Sequence, residues 1–205
     1  EALSLEPTNV EAMALVGDVA FEASRMPEAL AAYEGLVTRA FALPREDATR
    51  VLLRFVEAVG VSSGAKSPRL AVAVDALSAL EPTDADGLTR ASAVLFEHGD
   101  PASSLRFHEA LVSRHDGLLA GTARARALYR LGESARRLGR VEAAERALGE
   151  SIDLDPSDPR PYRSLAALHE ERGAIDRAIE VRRRRVELAS GTERLELLLE
   201  IGDAL

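Results

Sequence analysis

Three segments of the chain end in the same way, with a short apolar run, an acidic residue and a proline. They cover residues 2–7, 77–82 and 151–156, and their prolines lie 75 and 74 residues apart. A proline ends a helix, because it lacks a backbone N–H and its ring clashes with the preceding turn. An ending that recurs at a fixed spacing predicts a repeat architecture, in which each unit packs mainly against its neighbours.

The third of these endings closes a helix–turn–helix pattern over residues 128–156. Its first part carries apolar or small residues at the spacing i, i+3, i+4 and i+7, which places them on one face of a helix. These residues are Leu128, Leu131, Gly132 and Ala135. A turn follows at residues 138–140, and Ala144 and Leu148 then lie one turn apart. The segment therefore predicts two helices that pack through their apolar faces.

This segment resembles the tetratricopeptide repeat, a helix–turn–helix unit of about 34 residues. The family places an Ala twelve positions, and a Pro 24 positions, after a small residue of the first helix. Gly132, Ala144 and Pro156 match both intervals. The resemblance implies an all-α, right-handed α-solenoid of about five repeats, with partial repeats at both ends. It also implies a surface that binds other proteins.

The same pattern predicts a single array over residues 1–205. Whole repeats are predicted at residues 10–43, 46–84, 85–118, 122–158 and 159–192. Residues 1–9 resemble the tail of a preceding repeat, and residues 193–205 the first helix of a further one. Because the chain begins with Glu1 rather than Met, we expect the natural protein to be longer.

The first helices of the other repeats are predicted to bury residues at the same spacing. These residues are Met13, Val16, Gly17 and Ala20; Leu52, Phe55, Val56 and Val59; Leu88, Ala91, Ser92 and Leu95; Tyr162, Leu165, Ala166 and His169; and Leu198, Ile201, Gly202 and Leu205. The second helix of the fifth repeat departs from the family pattern. Arg182 and Arg185 stand where the family usually has an aromatic residue and an Ala.

Composition excludes several classes of protein. With 46% hydrophobic residues the chain is too apolar to remain disordered. Its net charge of −8 argues against general binding of nucleic acid, which requires a basic surface. No apolar run approaches the roughly 20 residues that a membrane span needs. The chain has no Cys, which excludes disulfides and Cys-based zinc sites. A cytoplasmic protein is expected.

No motif predicts catalysis or a bound cofactor. Residues 60–67 match a phosphate-binding loop only in part, because Ala65 replaces its second Gly and a helix precedes it. The histidines lack the spacing of a metal site. They are His98, His108, His115 and His169. We therefore expect neither enzyme activity, nor a cofactor, nor a metal site.

Two further segments carry open alternatives. The run of four Arg at residues 182–185 is either a solvated, ion-paired helix surface or a contact with an anionic partner. Residues 195–205 are more apolar than one helix face requires. Either more chain follows in the natural protein, or this face is a self-association surface.

The resemblance also implies that the first helices line a concave groove. Eight arginines fall at groove positions, and they define the predicted binding site. They are Arg50, Arg54, Arg90, Arg126, Arg130, Arg137, Arg160 and Arg163. The first repeat has Glu11, Asp18 and Glu22 instead. The groove is thus predicted to be acidic at its N-terminal end and Arg-rich beyond, and the alternative is a generic charged surface.

Guanidinium groups bind carboxylates through paired hydrogen bonds. Some members of the family hold a chaperone's C-terminal carboxylate with Lys, Arg and Asn. The pairs Arg50–Arg54 and Arg126–Arg130 match the four-residue spacing of the basic residues. The Asn partners are absent, because Asp18, Glu57 and Glu133 take that position, which argues against the usual chaperone clamp.

The sequence therefore predicts a protein–protein interaction module, whose groove binds a partner segment that we expect to be acidic. One alternative is a structural spacer or self-association segment of a larger protein. The other is a regulatory domain attached to an enzyme that lies outside this fragment.

Overall fold

A computed structural model of the chain describes residues 9–62, 69–80, 84–114, 119 and 121–203. Every regular element in these residues is a helix, which confirms the predicted all-α fold. The chain divides into two compact units, which we call unit 1 (Glu1–Leu118) and unit 2 (Leu119–Leu205). The predictions for residues 1–8 and 63–68, for Pro82 and for His115 and Leu205 lie outside the described residues.

Unit 1 contains six described α-helices and one 3-10 helix. They are α1 (Val10–Glu22), α2 (Met26–Leu36), the 3-10 helix (Val37–Ala42), α3 (Arg45–Val61), α4 (Leu70–Leu80), α5 (Ala85–His98) and α6 (Pro101–Arg114). Unit 2 contains five. They are α7 (Gly121–Arg137), α8 (Val141–Leu154), α9 (Pro159–Glu171), α10 (Ile175–Val186) and α11 (Gly191–Asp203).

Consecutive helices pack in pairs, and the first helices of neighbouring pairs also pack against each other. In unit 1 the pairs are α1–α2, α3–α4 and α5–α6, with α1 against α3 and α3 against α5. In unit 2 they are α7–α8 and α9–α10, with α7 against α9 and α10 against α11. We call the solvent-exposed side of the first helices within one unit (α1, α3 and α5 in unit 1, α7 and α9 in unit 2) the first-helix face of that unit.

Three of the turns inside these pairs share one backbone geometry. The second residue after the end of the first helix has a positive φ, at Ser24, Gly139 and Gly173. At Gly139, for example, its N–H donates to the carbonyl of Arg136, and the next N–H donates from Arg140 to Ala135. This arrangement satisfies carbonyls that the end of a helix leaves unpaired, and Gly adopts it without strain.

The predicted core faces are mostly buried. In α3 and α5 all eight predicted residues are buried, and so are Ala29, Tyr33 and Leu36 of α2. Three predictions were wrong. Val16 is exposed, because it lies beside Leu15 and Val19 on a side of α1 that no described helix covers. Leu198 and Gly202 are also exposed, since α11 packs on α10 through Leu197 and Ile201 instead.

Candidate functional site

All eight predicted arginines lie on first helices, three of them in unit 1 and five in unit 2. Arg50 and Arg54 lie on α3, Arg90 on α5, three on α7 and two on α9. Within each unit the structure brings several of them next to acidic side chains of the same chain. Some of the predicted arginines are therefore ion-paired within the chain, and others are exposed to solvent.

In unit 1 the carboxylate of Asp18 binds both Arg50 and Arg54. The Nη1 group of Arg50 donates to Oδ2 of Asp18, and Nη1 of Arg54 donates to Oδ1 of the same residue at 2.9 Å. The hydroxyl of Tyr33 also donates to Oδ1, at 2.7 Å. Asp18 on α1 is thus bound by three donors from α2 and α3. Asp18 of the first repeat and the first two predicted groove arginines beyond it therefore neutralise each other.

Two aromatic rings complete this cluster. The guanidinium of Arg54 lies over the Phe21 ring, 5.2 Å from its centroid, which is within the range of a cation–π contact. The ring of Tyr33 is completely buried. Burial raises the pKa of Tyr33 above its ordinary value of 10.0, although its contact with Arg54 acts in the opposite direction. The phenol therefore stays protonated and acts as a hydrogen-bond donor at neutral pH.

Arginines bind acidic residues about one repeat length away at several places. Arg54 binds Glu22, 32 residues earlier, and Arg90 binds Glu57, 33 residues earlier. In unit 2, Arg136 binds Glu171, 35 residues later. Second helices show the same relation, in Arg106 with Asp75 and Arg184 with Asp153. These pairs connect consecutive repeats. An Arg and an acidic residue one repeat apart in the sequence would have indicated such a pair, but the prediction of the groove did not use this signal.

Glu133 on α7 is a buried carboxylate in unit 2. Its oxygens accept hydrogen bonds from Nε and Nη2 of Arg136, at 2.9 and 2.8 Å, and from Nε of Arg137 at 3.1 Å. Burial alone would raise the pKa of Glu133. The hydrogen bonds from Arg136, Ser164 and Arg137 outweigh it, so the pKa lies below its ordinary value of 4.5. Arg137 is therefore ion-paired within its own helix.

We expect Glu133→Gln to make the stability of unit 2 less dependent on pH. The lowered pKa means that the ionised carboxylate contributes stability above about pH 4.5, and that this stability is lost as the pH falls through the folded-state value. The substitution should cost about 1–3 kcal/mol at pH 7, because hydrogen bonds to a charged acceptor are lost. Urea unfolding at several pH values checks this. Parallel curves for the two proteins between pH 7 and 3 would contradict it.

Arg160 is also occupied by the chain itself. It donates to the carboxylate of Asp158 through Nε at 2.9 Å and through Nη2 at 2.6 Å. Its guanidinium lies over the ring of Tyr129, 5.1 Å from the centroid. Asp158 in turn caps the N-terminus of α9 by accepting the N–H of Arg160. Arg160 thus links α7 to the start of α9.

The remaining predicted arginines are Arg126, Arg130 and Arg163, all in unit 2. Arg126 and Arg163 are exposed, and Arg130 is half-buried. Arg126 lies near enough to Asp158 to help lower the pKa of that carboxyl, and Arg163 acts on Glu193 in the same way. Neither Arg126 nor Arg163 has a direct ion pair within the described residues. These two exposed guanidinium groups lie on neighbouring first helices.

A cavity of about 260 Å³ lies between α9, α10 and α11. Arg182 and Arg185, the two departures from the family pattern, line it. Arg185 is buried and makes two hydrogen bonds of 2.9 Å to Glu193. Arg182 binds Glu170 and Glu200. The Arg run is thus largely ion-paired within the chain.

A buried histidine forms a polar network that the sequence did not indicate. The ring of His108 on α6 is completely buried. It lies 2.7 Å from the hydroxyl of Ser92 through Nε2 and 2.7 Å from the carbonyl oxygen of Ser104 through Nδ1. The side chains satisfy each other inside the packed core. We regard this network as structural, because the ring of His108 has no exposed surface that a substrate could contact.

Two kinds of feature are absent from the described residues. They contain no group of three His, Asp or Glu side chains placed to hold a metal ion. Among their helices, none has the length and apolar character that crossing a membrane would require.

Comparisons with known proteins bear on the fold. The model of a family described as tetratricopeptide repeat matches residues 1–43, 88–159 and 129–191. The solved structure of MamA protein is similar to this chain with a TM-score of 0.58, at 18% identity over 87% of this chain and 90% of that chain. Yeast Tom70 is similar with a TM-score of 0.53, at 17% identity over 99% of this chain and 41% of that chain. No curated protein matches the sequence. At these identities the structural likeness shows the fold alone.

Proposed function

Because this chain belongs to the tetratricopeptide repeat family, we propose that it is a protein–protein interaction module that binds an acidic segment of a partner on the first-helix face of unit 2. The family typically mediates protein–protein interaction. The proposal places the partner on α7 and α9, which pack against each other. Its contacts would be made by Arg126 and Arg163, with Arg130 beside them.

The observation that carries the proposal is the contrast among the eight predicted arginines. Arg50, Arg54, Arg90, Arg137 and Arg160 each bind a carboxylate of this chain. Arg126 and Arg163 are exposed, and neither has a carboxylate partner within the part of the chain that the structure describes. A guanidinium group presents several donors in a fixed plane, which suits the two oxygens of a carboxylate. The exposed pair is therefore available to a partner, while the paired arginines stabilise the repeats.

We expect the wild-type protein to bind a short peptide composed of Glu and Ser residues (the Glu-Ser peptide). Its ends are acetylated and amidated, so that only its Glu side chains carry negative charge. The double substitution Arg126→Glu/Arg163→Glu should weaken this binding by about tenfold or more, because it places two repulsive charges where the peptide's carboxylates would lie. Raising the salt concentration should weaken the wild-type complex, since exposed charges are screened. Fluorescence anisotropy of a labelled peptide measures both effects.

Arg146→Glu/Arg183→Glu is the matched control. It makes the same change in charge at two exposed arginines on the second helices α8 and α10, and we expect nearly unchanged affinity. A Gln-Ser peptide should bind much more weakly than the Glu-Ser peptide. Equal binding by both double variants at every salt concentration would contradict the proposal.

A second candidate function is self-association through α11. Leu195, Leu198 and Leu199 expose 63%, 47% and 69% of their surface, although the opposite side of the helix packs on α10. Exposed apolar stripes of this kind favour association. Sedimentation of the wild type and of Leu195→Lys/Leu199→Lys would decide. A concentration-dependent dimer that the substitutions abolish supports this candidate, and a monomer at all concentrations rejects it.

A further inference from the structure

The surroundings of Asp18 in unit 1 have the form of a carboxylate-binding site. Two guanidinium groups and one phenol converge on its two oxygens, from Arg50, Arg54 and Tyr33. The Asp18 side chain is only 12% exposed. Paired Arg donors with an added hydroxyl are the groups that proteins use to bind a carboxylate. Here the carboxylate comes from the neighbouring helix α1.

Each of the three donors is also held by contacts that do not involve Asp18. Arg50 binds Asp47 on its own helix. Arg54 binds Glu22 at 3.2 Å and lies over the Phe21 ring. The Tyr33 ring is enclosed by the core. We therefore expect the donors to keep their places when Asp18 is removed, as a preorganised site does.

The two arginines also lie close enough to influence each other. Burial, and the neighbouring positive charge of Arg54, lower the pKa of Arg50. Two like charges at this distance are tolerated because an anion lies between them. If Asp18 were removed, the site would still strongly favour an anion.

We propose that Arg50, Arg54 and Tyr33 form a binding site for a carboxylate, and that the chain's own Asp18 fills this site as an internal ligand. The site is therefore closed to an acidic partner while Asp18 is in place. The proposal rests on the proposed function only in naming a partner's carboxylate as the competing ligand. It accounts for the occupied state of Arg50 and Arg54, whereas Arg126 and Arg163 on the first helices of unit 2 are exposed.

The proposal is tested by restoring the missing carboxylate from solution. Asp18→Ala leaves a space of about the size of a carboxyl group next to the three donors. We expect sodium formate to raise the thermal midpoint of this variant by about 3 °C or more relative to sodium chloride at the same concentration, because a ligand that binds only the folded state stabilises it. Circular dichroism follows the transition.

Three controls make the result specific. Wild type should show no such difference between formate and chloride, and neither should Asp18→Asn, whose amide keeps the space filled. Asp18→Ala/Arg54→Gln should lose the effect, because a donor is gone. If formate stabilises all four proteins equally, or still stabilises the variant without Arg54, the proposal is overturned.

The variant could be too unstable to measure directly. The same comparison is then made in trimethylamine N-oxide, which favours compact states without occupying a site. Failure of formate to act there also overturns the proposal. Because the experiment uses no peptide and leaves Arg126 and Arg163 unchanged, it does not depend on the outcome of the test of the proposed function.

Discussion

Replacing Tyr33 by Ala is expected to lower the free energy of unfolding by about 3–5 kcal/mol, which is typical of removing a buried aromatic ring. The ring is completely buried. It lies so close to α1 that a Cβ atom on Gly17 would be 2.4 Å from its Cε1 atom. The substitution therefore leaves a cavity between α1 and α2. It also removes the hydroxyl that donates to Asp18.

Tyr33→Phe separates these two contributions. It keeps the ring and removes only the hydroxyl, and Asp18 retains its two arginines. We expect a cost of about 1 kcal/mol, the usual value for one hydrogen bond. Urea denaturation followed by circular dichroism measures both variants. A similar cost for Phe and Ala would contradict the packing that we assign to this ring.

Replacing Leu148 by Ala should destabilise the protein by about 2–5 kcal/mol. Leu148 on α8 is completely buried. It packs directly on Gly132 of α7, where an added Cβ would lie 2.6 Å from its Cγ atom. The small residue and the large one are therefore complementary across the helix pair. Gly132→Ala alone should cost about 1–3 kcal/mol, because it overpacks this contact.

The double variant tests this complementarity directly. Ala at position 148 removes the atoms that a methyl group on residue 132 would meet, so the two costs should not add. We expect the sum of the single costs to exceed the measured cost of Gly132→Ala/Leu148→Ala by about 1–2 kcal/mol. Strict additivity in a double-mutant cycle would show that the two residues do not share this contact.

The fold could be predicted from the sequence because the repeat pattern reflects how neighbouring helices pack. Gly132 and Leu148 mark the place where two helices approach most closely, and small and large residues in that order recur in Gly17 and Tyr33. The pattern failed where apolar residues are too frequent to define one face. In α11 the chain offers Leu at 195, 197, 198 and 199, and packing on α10 selected Leu197.

The candidate site was less predictable, because spacing along one helix does not show which side chains a neighbouring helix will neutralise. Arg54 and Arg163 both fall at predicted groove positions. Only the packing of α1 against α3 brings Asp18 and Glu22 within reach of Arg54. An acidic residue about one repeat earlier gives a partial signal of such pairing. It would have separated Arg54 and Arg90 from the exposed arginines.

The central proposal is that some first-helix arginines of this chain stabilise the repeats, while others bind a partner. One comparison tests this most directly. Arg54→Gln and Arg163→Gln make the same chemical change in units 1 and 2. Measuring unfolding and Glu-Ser peptide binding for both, we predict that Arg54→Gln lowers stability by about 1–3 kcal/mol and leaves affinity unchanged. Arg163→Gln should weaken binding severalfold and leave stability unchanged. Equal effects of both substitutions on stability and on binding would contradict the proposal.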